Sequence, residues 1–266
     1  MKYMSVFLLV FSMFFLGSCF YIQVEYPPER ERAPVEEFHK NVPFSPGGTL
    51  SLSNVNGNVE IHGWEKEELE VYAEKMIQIP DKTKLYVFPR NSFTPGIVFD
   101  KFENFVKIRT KNGSEEKDFG FVDYFVDVPH SINLKDILSS KGDILISEVY
   151  GDAYLDLLEG DITVENFSGS LTASTIRGSI SASLFDLREQ DKIVITSREG
   201  NITLTLQEKS SAHLVIACPE GEISSEFEID MPPGAKNIDT EWGENGPLIS
   251  LTALRGDIRI NKAFRD

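Results

Sequence analysis

The sequence predicts an all-β chain folded as a β-solenoid, and three observations carry that reading. Glycine recurs every nine residues, at Gly142, Gly151, Gly160, Gly169 and Gly178. After each one, apolar residues hold the second place (Ile144, Ala153, Ile162, Leu171, Ile180) and the fourth (Ile146, Leu155, Val164, Ala173, Ala182). The seventh place is apolar too: Val149, Leu158, Phe167, Ile176 and Phe185. A fixed short period marks a fold stacked in one dimension. Apolar residues separated by one position make a short strand with one inward face. Glycine followed by Asp, Asn or Ser makes a tight turn, because glycine accepts positive φ without steric cost. Nine residues are thus half a coil, and two halves make one turn of eighteen. An antiparallel sandwich of hairpins is the competing architecture, but hairpin loops rarely keep a constant period.

The N-terminus is an export signal by its pattern. Met1 and Lys2 precede an apolar run of eleven residues, Val6 to Leu16, too short to cross a membrane. The run closes in Leu16-Gly17-Ser18-Cys19, which resembles the bacterial lipobox. That resemblance implies removal of residues 1–18 and lipidation of Cys19, so that the mature chain meets the membrane through an N-terminal lipid. The following stretch, 19–46, includes Pro27-Pro28-Glu29-Arg30-Glu31-Arg32-Ala33-Pro34 and reads as an extended tether. Residues 47–140 read as an all-β N-terminal region with one coil, and 141–266 as the solenoid repeats.

In the N-terminal region, Gly48 and Gly57 open a pair of half-coils with Leu50, Leu52, Val59 and Ile61 at the apolar places. From about Trp64 to Ser140 the period is broken. Strands are still expected at Leu69–Ala73, Leu85–Phe88, Val106–Arg109 and Phe121–Val128, the last ended by Pro129, with turns at Pro95-Gly96 and Asn112-Gly113. This aromatic-rich region is read as a cap or flanking sheet, since open rungs are sticky edges. An alternation through Phe121 and Phe125 suggests that those rings pack a core; the competing reading makes Phe119, Phe121, Tyr124 and Phe125 a binding patch.

Beyond the central block the paired unit returns, opened by Asp191 and Gly200, then Ala212 and Gly221, then Pro247 and Gly256. Gly57, Gly142, Gly151, Gly160, Gly169, Gly178, Gly200, Gly221 and Gly256 are the expected turn glycines. Met231-Pro232-Pro233-Gly234 is read as a loop on the solenoid.

Several of these segments resemble a bacterial family described as putative adhesins of unknown function, with toast-rack-like β-solenoid domains. The closest are Ser53-Asn54-Val55-Asn56-Gly57-Asn58-Val59-Glu60-Ile61, the strand end Val126-Asp127-Val128-Pro129, and Gly142-Asp143-Ile144 with its successors. The resemblance implies a right-handed solenoid and an envelope location, with no assigned chemistry.

Charge and motif content narrow the function further. With 26 Lys+Arg against 42 Asp+Glu, the formal charge of −16 repels phosphate backbones, so no nucleic-acid partner is expected. Cys218 is the one cysteine left after Cys19 and lies in the apolar run Leu214–Ala217, as a buried, inert thiol would. His39, His62, His130 and His213 are scattered without metal-ligand spacing, and neither a metal nor a cofactor is expected. Asp143, Asp152 and Asp161 follow successive glycines; a calcium ladder is conceivable, but turn residues are the preferred reading. Arg177 and Arg198, next to turns, are expected on the surface. The outward positions Leu145, Tyr154, Thr163, Thr172, Ser181, Thr203 and Arg259 are hydroxyl-rich without a carboxylate pair, which speaks against a polysaccharide-cleaving β-helix.

The expectation is a non-enzymatic, lipid-anchored envelope module that acts in binding, adhesion or structure, toward envelope or surface proteins or glycans. The alternatives are a carbohydrate-active β-helix enzyme and a stress-signalling accessory protein. With Phe20 after the cysteine, sorting to an outer membrane is expected where the cell has two membranes.

Overall fold

The computed structural model describes residues 32–78, 95–111 and 120–263. The N-terminal signal, Cys19, Leu85–Phe88, Asn112-Gly113 and Phe119 lie outside the described residues. The first strands are β1 (Arg32–Pro43), β2 (Thr49–Ser53), β3 (Val59–Trp64), β4 (Glu68–Gln78), β5 (Gly96–Phe102), β6 (Phe105–Lys111) and β7 (Gly120–Pro129). The repeats form β8 (Asn133–Lys141), β9 (Ile144–Ser147), β10 (Ala153–Glu159), β11 (Ile162–Phe167), β12 (Leu171–Arg177) and β13 (Ile180–Leu184). They continue as β14 (Lys192–Glu199), β15 (Ile202–Leu206), β16 (Ala212–Ala217), β17 (Ile223–Ser225), β18 (Asn237–Trp242), β19 (Leu248–Arg255) and β20 (Ile258–Lys262).

These strands make two ten-stranded sheets, and each coil of the solenoid gives one strand to each sheet. The eighteen-residue coil is direct in the central register: Ile144 pairs with Ile162 and Ile162 with Ile180, while Ala153 pairs with Leu171 on the other sheet. Each apolar column therefore runs unbroken through the core. One reads Val59, Ile144, Ile162, Ile180, Ile202, Ile258 and Ile223, and all but the last are 1 % exposed or less. Such burial of branched side chains, about 25 cal/mol per Å² of apolar area, is the main stabilising term. Beyond Phe185 a longer loop is held by Asp191, a buried carboxylate that accepts hydrogen bonds from the Arg188 amide (2.7 Å) and guanidinium (2.8 Å).

The two half-coils are not equivalent, as a uniform nine-residue unit would require. At one corner the seventh residue points inward, with Val149 and Phe167 fully buried; at the other, Leu158 and Ile176 are 45 % and 40 % exposed. The turn glycines also differ. Gly57, Gly142, Gly160, Gly169, Gly178, Gly200 and Gly256 have positive φ, whereas Gly151 and Gly221 do not, so this difference does not follow the corner. At Gly151 and Gly221 glycine is required for space alone, because a Cβ would be driven into a backbone carbonyl of the neighbouring coil.

Coil order departs from chain order at both ends. The region 105–129, expected as flanking strands, forms a coil of its own: β6 pairs with β2 and β7 with β3, both parallel. The coil of β2 and β3 thus lies between that of β6 and β7 and that of β8 and β9. At the other end β19 and β20 sit between the coil of β14 and β15 and that of β16 and β17. Antiparallel strands cap the stack: β4 on β7 with β1 outside it, β5 on β6, and β18 on β16.

A ladder of charge favours the inserted order at the C-terminal end. The residues preceding the turn glycines align in register as Lys141, Glu159, Arg177, Glu199 and Arg255. Arg177 pairs with Glu159, and Arg255 with both Glu199 (2.7 Å) and Glu220 (3.5 Å). Signs alternate along the whole ladder. Had β16 and β17 stacked directly on β14 and β15, Glu220 would face Glu199, and like charges in register oppose pairing. Arg255→Glu should therefore lower stability by about 1–2 kcal/mol in urea denaturation, more than Arg255→Gln, because it aligns three carboxylates.

Candidate functional site

Three sets of polar residues stand out, and each is built by the coil register. The first is the ladder that follows the turn glycines. Asp123 Oδ1 accepts the Asn58 amide (2.7 Å), Asn58 Oδ1 that of Asp143 (3.0 Å), and Asp143 Oδ1 that of Asp161 (2.9 Å). Asp161 then accepts from Ser179 (2.7 Å), and farther on Asn201 accepts from Asp257 (2.8 Å) and Asp257 from Glu222 (3.0 Å). At the opposite corner Asp152 accepts from Ser170 (3.2 Å). Apart from Asp123, which lies within β7, these aspartates are turn residues, and each carboxylate takes an amide of the next coil. No cluster of metal-binding side chains is present among the described residues. The melting temperature should accordingly be the same with and without a chelator, since a bound ion would add stability by mass action.

The second set is the outward face of the repeats. The seven outward residues divide between the sheets: Leu145, Thr163, Ser181, Thr203 and Arg259 line one, and Tyr154 and Thr172 the other. Both faces are open.

The third set lies on the outward face of β1, β4, β7 and β3, and here the sequence reading is corrected. The phase of β7 is the reverse of that expected. Val122, Tyr124, Val126 and Val128 face the core, and Phe125 points out, 39 % exposed. The Tyr124 hydroxyl meets Thr110 Oγ1 at 2.8 Å, and burial pushes its pKa up to about 12. The in-phase run of Val122, Tyr124, Val126 and Val128, with Asp123 and Asp127 between, was the signal for this phase. Outside, Phe125 packs on Tyr72 with ring centroids 6.0 Å apart.

Carboxylates flank this aromatic pair on both sides. Glu37 stands opposite Glu74 and Glu74 opposite Asp123 on one side; on the other, Glu70 stands opposite Asp127. Glu60 is the register partner of Phe125. Carboxylate pairs therefore occur on this face, outside the repeat positions that the sequence reading considered. Two of the four histidines join them: His39 Nε2 lies 2.7 Å from Glu70 Oε1, and His62, opposite Asp127, is 3.0 Å from Ser147 Oγ. Burial raises the pKa of Asp127, the His62 and Lys66 charges oppose the shift, and Glu70 adds to it. His130 and His213 are elsewhere, the latter paired with Asp239 at 2.8 Å.

Ser147, His62 and Asp127 lie side by side on three adjacent strands, the residue types of a hydrolase triad. The strand β9 that carries Ser147 is paired on both sides, so its amides are spent on the ladders and not free to form an oxyanion hole. The carboxylate pairs likewise stand on an open sheet, where a glycosidase needs a groove. A cavity of about 440 Å³ does exist under the Met231–Gly234 loop, but Glu222 is the one carboxylate lining it. Cys218 is fully buried, with Sγ 3.2 Å from the Gly256 carbonyl, and burial raises its thiol further from ionisation.

The family match and one solved structure agree with this architecture. The family model described as Toastrack DUF4097 matches residues 128–261. Among solved structures, a putative cell adhesion protein from Clostridium sporogenes superposes with a TM-score of 0.51 at 15% identity, covering 87% of this chain and 100% of its own. A putative adhesin from Bacteroides fragilis gives a TM-score of 0.35 at 11% identity, covering 85% of this chain and 97% of its own. No curated protein matches the sequence.

Proposed function

Because this chain belongs to the Toastrack DUF4097 family, we propose that it is a non-enzymatic binding module of the bacterial envelope, held by a lipid on Cys19 and acting through its sheet faces. The observation that carries this reading is the outward aromatic pair of half-buried Tyr72 and exposed Phe125 on an open sheet face. Exposed aromatics that pack on each other outside the core contribute little to folding, and they supply large contact area to a partner. Adhesion, as described for the Clostridium sporogenes neighbour, is one form such binding takes.

The experiment is protease treatment of intact cells carrying the full chain, beside a Cys19→Ala control. Loss of the protein with a periplasmic marker spared, and release of the Cys19→Ala form from the membrane, would support a lipid-anchored surface role. Survival until the envelope is opened would replace adhesion by an internal structural or stress-signalling role. A Cys19→Ala form that stays membrane-bound would overturn the lipid anchor.

A further inference from the structure

The flanking carboxylates carry a like-charge cost that the fold offsets only in part: His39 meets Glu70, the Tyr72 hydroxyl donates to Glu74 and the Asn58 amide donates to Asp123. Glu37 with Glu74, Glu74 with Asp123, and Glu70 with Asp127 are like charges directly opposite on neighbouring strands, an arrangement that weakens a sheet. Among the described residues, no lysine or arginine forms an ion pair with Glu37, Glu74 or Asp123, although Glu36 next to them has Lys75 at 3.1 Å. Tyr72 registers the resulting field. Its hydroxyl donates to Glu74 at 3.0 Å, and that bond, then burial, then the Glu37 charge push its pKa up to about 12.

We propose that this face binds a basic polypeptide segment, whose cations sit in the two carboxylate rows and whose intervening residue covers Tyr72 and Phe125. The inference rests on the binding-module reading and names the partner that reading leaves open. A negative, aromatic surface selects ammonium and guanidinium groups, which gain from carboxylates and from ring faces together. A metal ion is a poorer fit, because the carboxylates are spread in rows and do not converge.

The register also sets the spacing of the partner. Along β4, Glu74 and Glu70 bracket Tyr72; along β7, Asp123 and Asp127 bracket Phe125. The rows are four residues apart, about 13 Å at strand rise. An extended segment with lysine or arginine at every fourth residue, and an apolar residue midway, matches both rows and the rings.

The test is fluorescence anisotropy on the full chain in detergent, at physiological salt, with two labelled heptapeptides of equal composition. One is Gly-Lys-Ser-Phe-Ser-Lys-Gly; the other places its two lysines side by side. The first should bind at least fivefold more tightly. Glu70→Gln with Glu74→Gln should weaken it at least tenfold while leaving the melting temperature unchanged or higher, the reverse of what a structural role would give. Glu228→Gln with Asp230→Asn, exposed and remote, should change binding less than twofold. Equal weakening by both double variants would mean bulk attraction to an acidic protein and would overturn the proposal, as would no preference between the peptides or no binding. Peptide binding by a chain that survives protease on intact cells would retain this inference and move its partner inside the envelope.

Discussion

Gly178→Ala should destabilise the protein by about 4 kcal/mol, enough to unfold a domain of ordinary stability at moderately raised temperature. Two costs add. Gly178 has φ of 148°, a backbone region closed to residues with a side chain. A Cβ at this position would also enter the space of the Gly160 carbonyl, one coil below. Neither coil can retreat, since Gly160 is packed in the same way on Gly142, and Gly200 on Gly178. Gly234→Ala separates the two contributions: its φ is 73°, but nothing lies within 4 Å of the added Cβ, so about 1 kcal/mol is expected. Chemical denaturation of both variants measures the difference. Equal losses would show that the stacked carbonyls yield easily and that strain in φ is the whole effect.

Asn54→Ala should cost about 3 kcal/mol, with no exposed charge or large apolar contact removed. Asn54 is buried at the end of β2 and bonds in three directions. Its Nδ2 donates to the carbonyls of Val122 at 2.8 Å and Gly57 at 3.1 Å, and its Oδ1 accepts from Thr110 Oγ1 at 2.8 Å. Thr110 in turn meets the Tyr124 hydroxyl at 2.8 Å. Truncation takes a donor from each of two carbonyls at a buried site and leaves the Thr110 hydroxyl with Tyr124 alone. Asn54→Asp keeps the shape and replaces a donor by an acceptor facing those carbonyls, so it should be at least as damaging. If Asn54→Asp were tolerated in an equilibrium urea titration while Asn54→Ala was not, packing would be the cause and the network would be incidental.

The period made the central coils legible because every half-coil there spans nine residues and opens on a glycine. Ile144, Ile162 and Ile180 could be aligned from the chain alone. Coil order was not legible from apolar residues, since Ile202, Ile223 and Ile258 fit any neighbour equally well. The information lies in the residue before each glycine. Taken along the chain, Lys141, Glu159, Arg177, Glu199, Glu220 and Arg255 break the alternation of sign, and moving the last before Glu220 restores it. The candidate face was hidden for a related reason. Its residues come from β1, β4, β7 and β3, outside the periodic block, and Glu37, Glu74 and Asp123 are brought together only by strand pairing. Phe125 was assigned to the wrong side because an aromatic residue weighs heavily in any apolar pattern. The valines at 122, 126 and 128 decide the phase against it.

The insertion of β2 with β3, and of β19 with β20, has a mechanical meaning. A repeat array whose coils follow chain order loosens from its outermost turn, one unit at a time. Here a pull on the segment leading into β1 can unzip that outer strand, but it next reaches β2, which is gripped by β6 on one side and β8 on the other. The load then falls across two ladders at once, in shear. Fraying is arrested at the second coil from each end, and the array resists a tug as a single body.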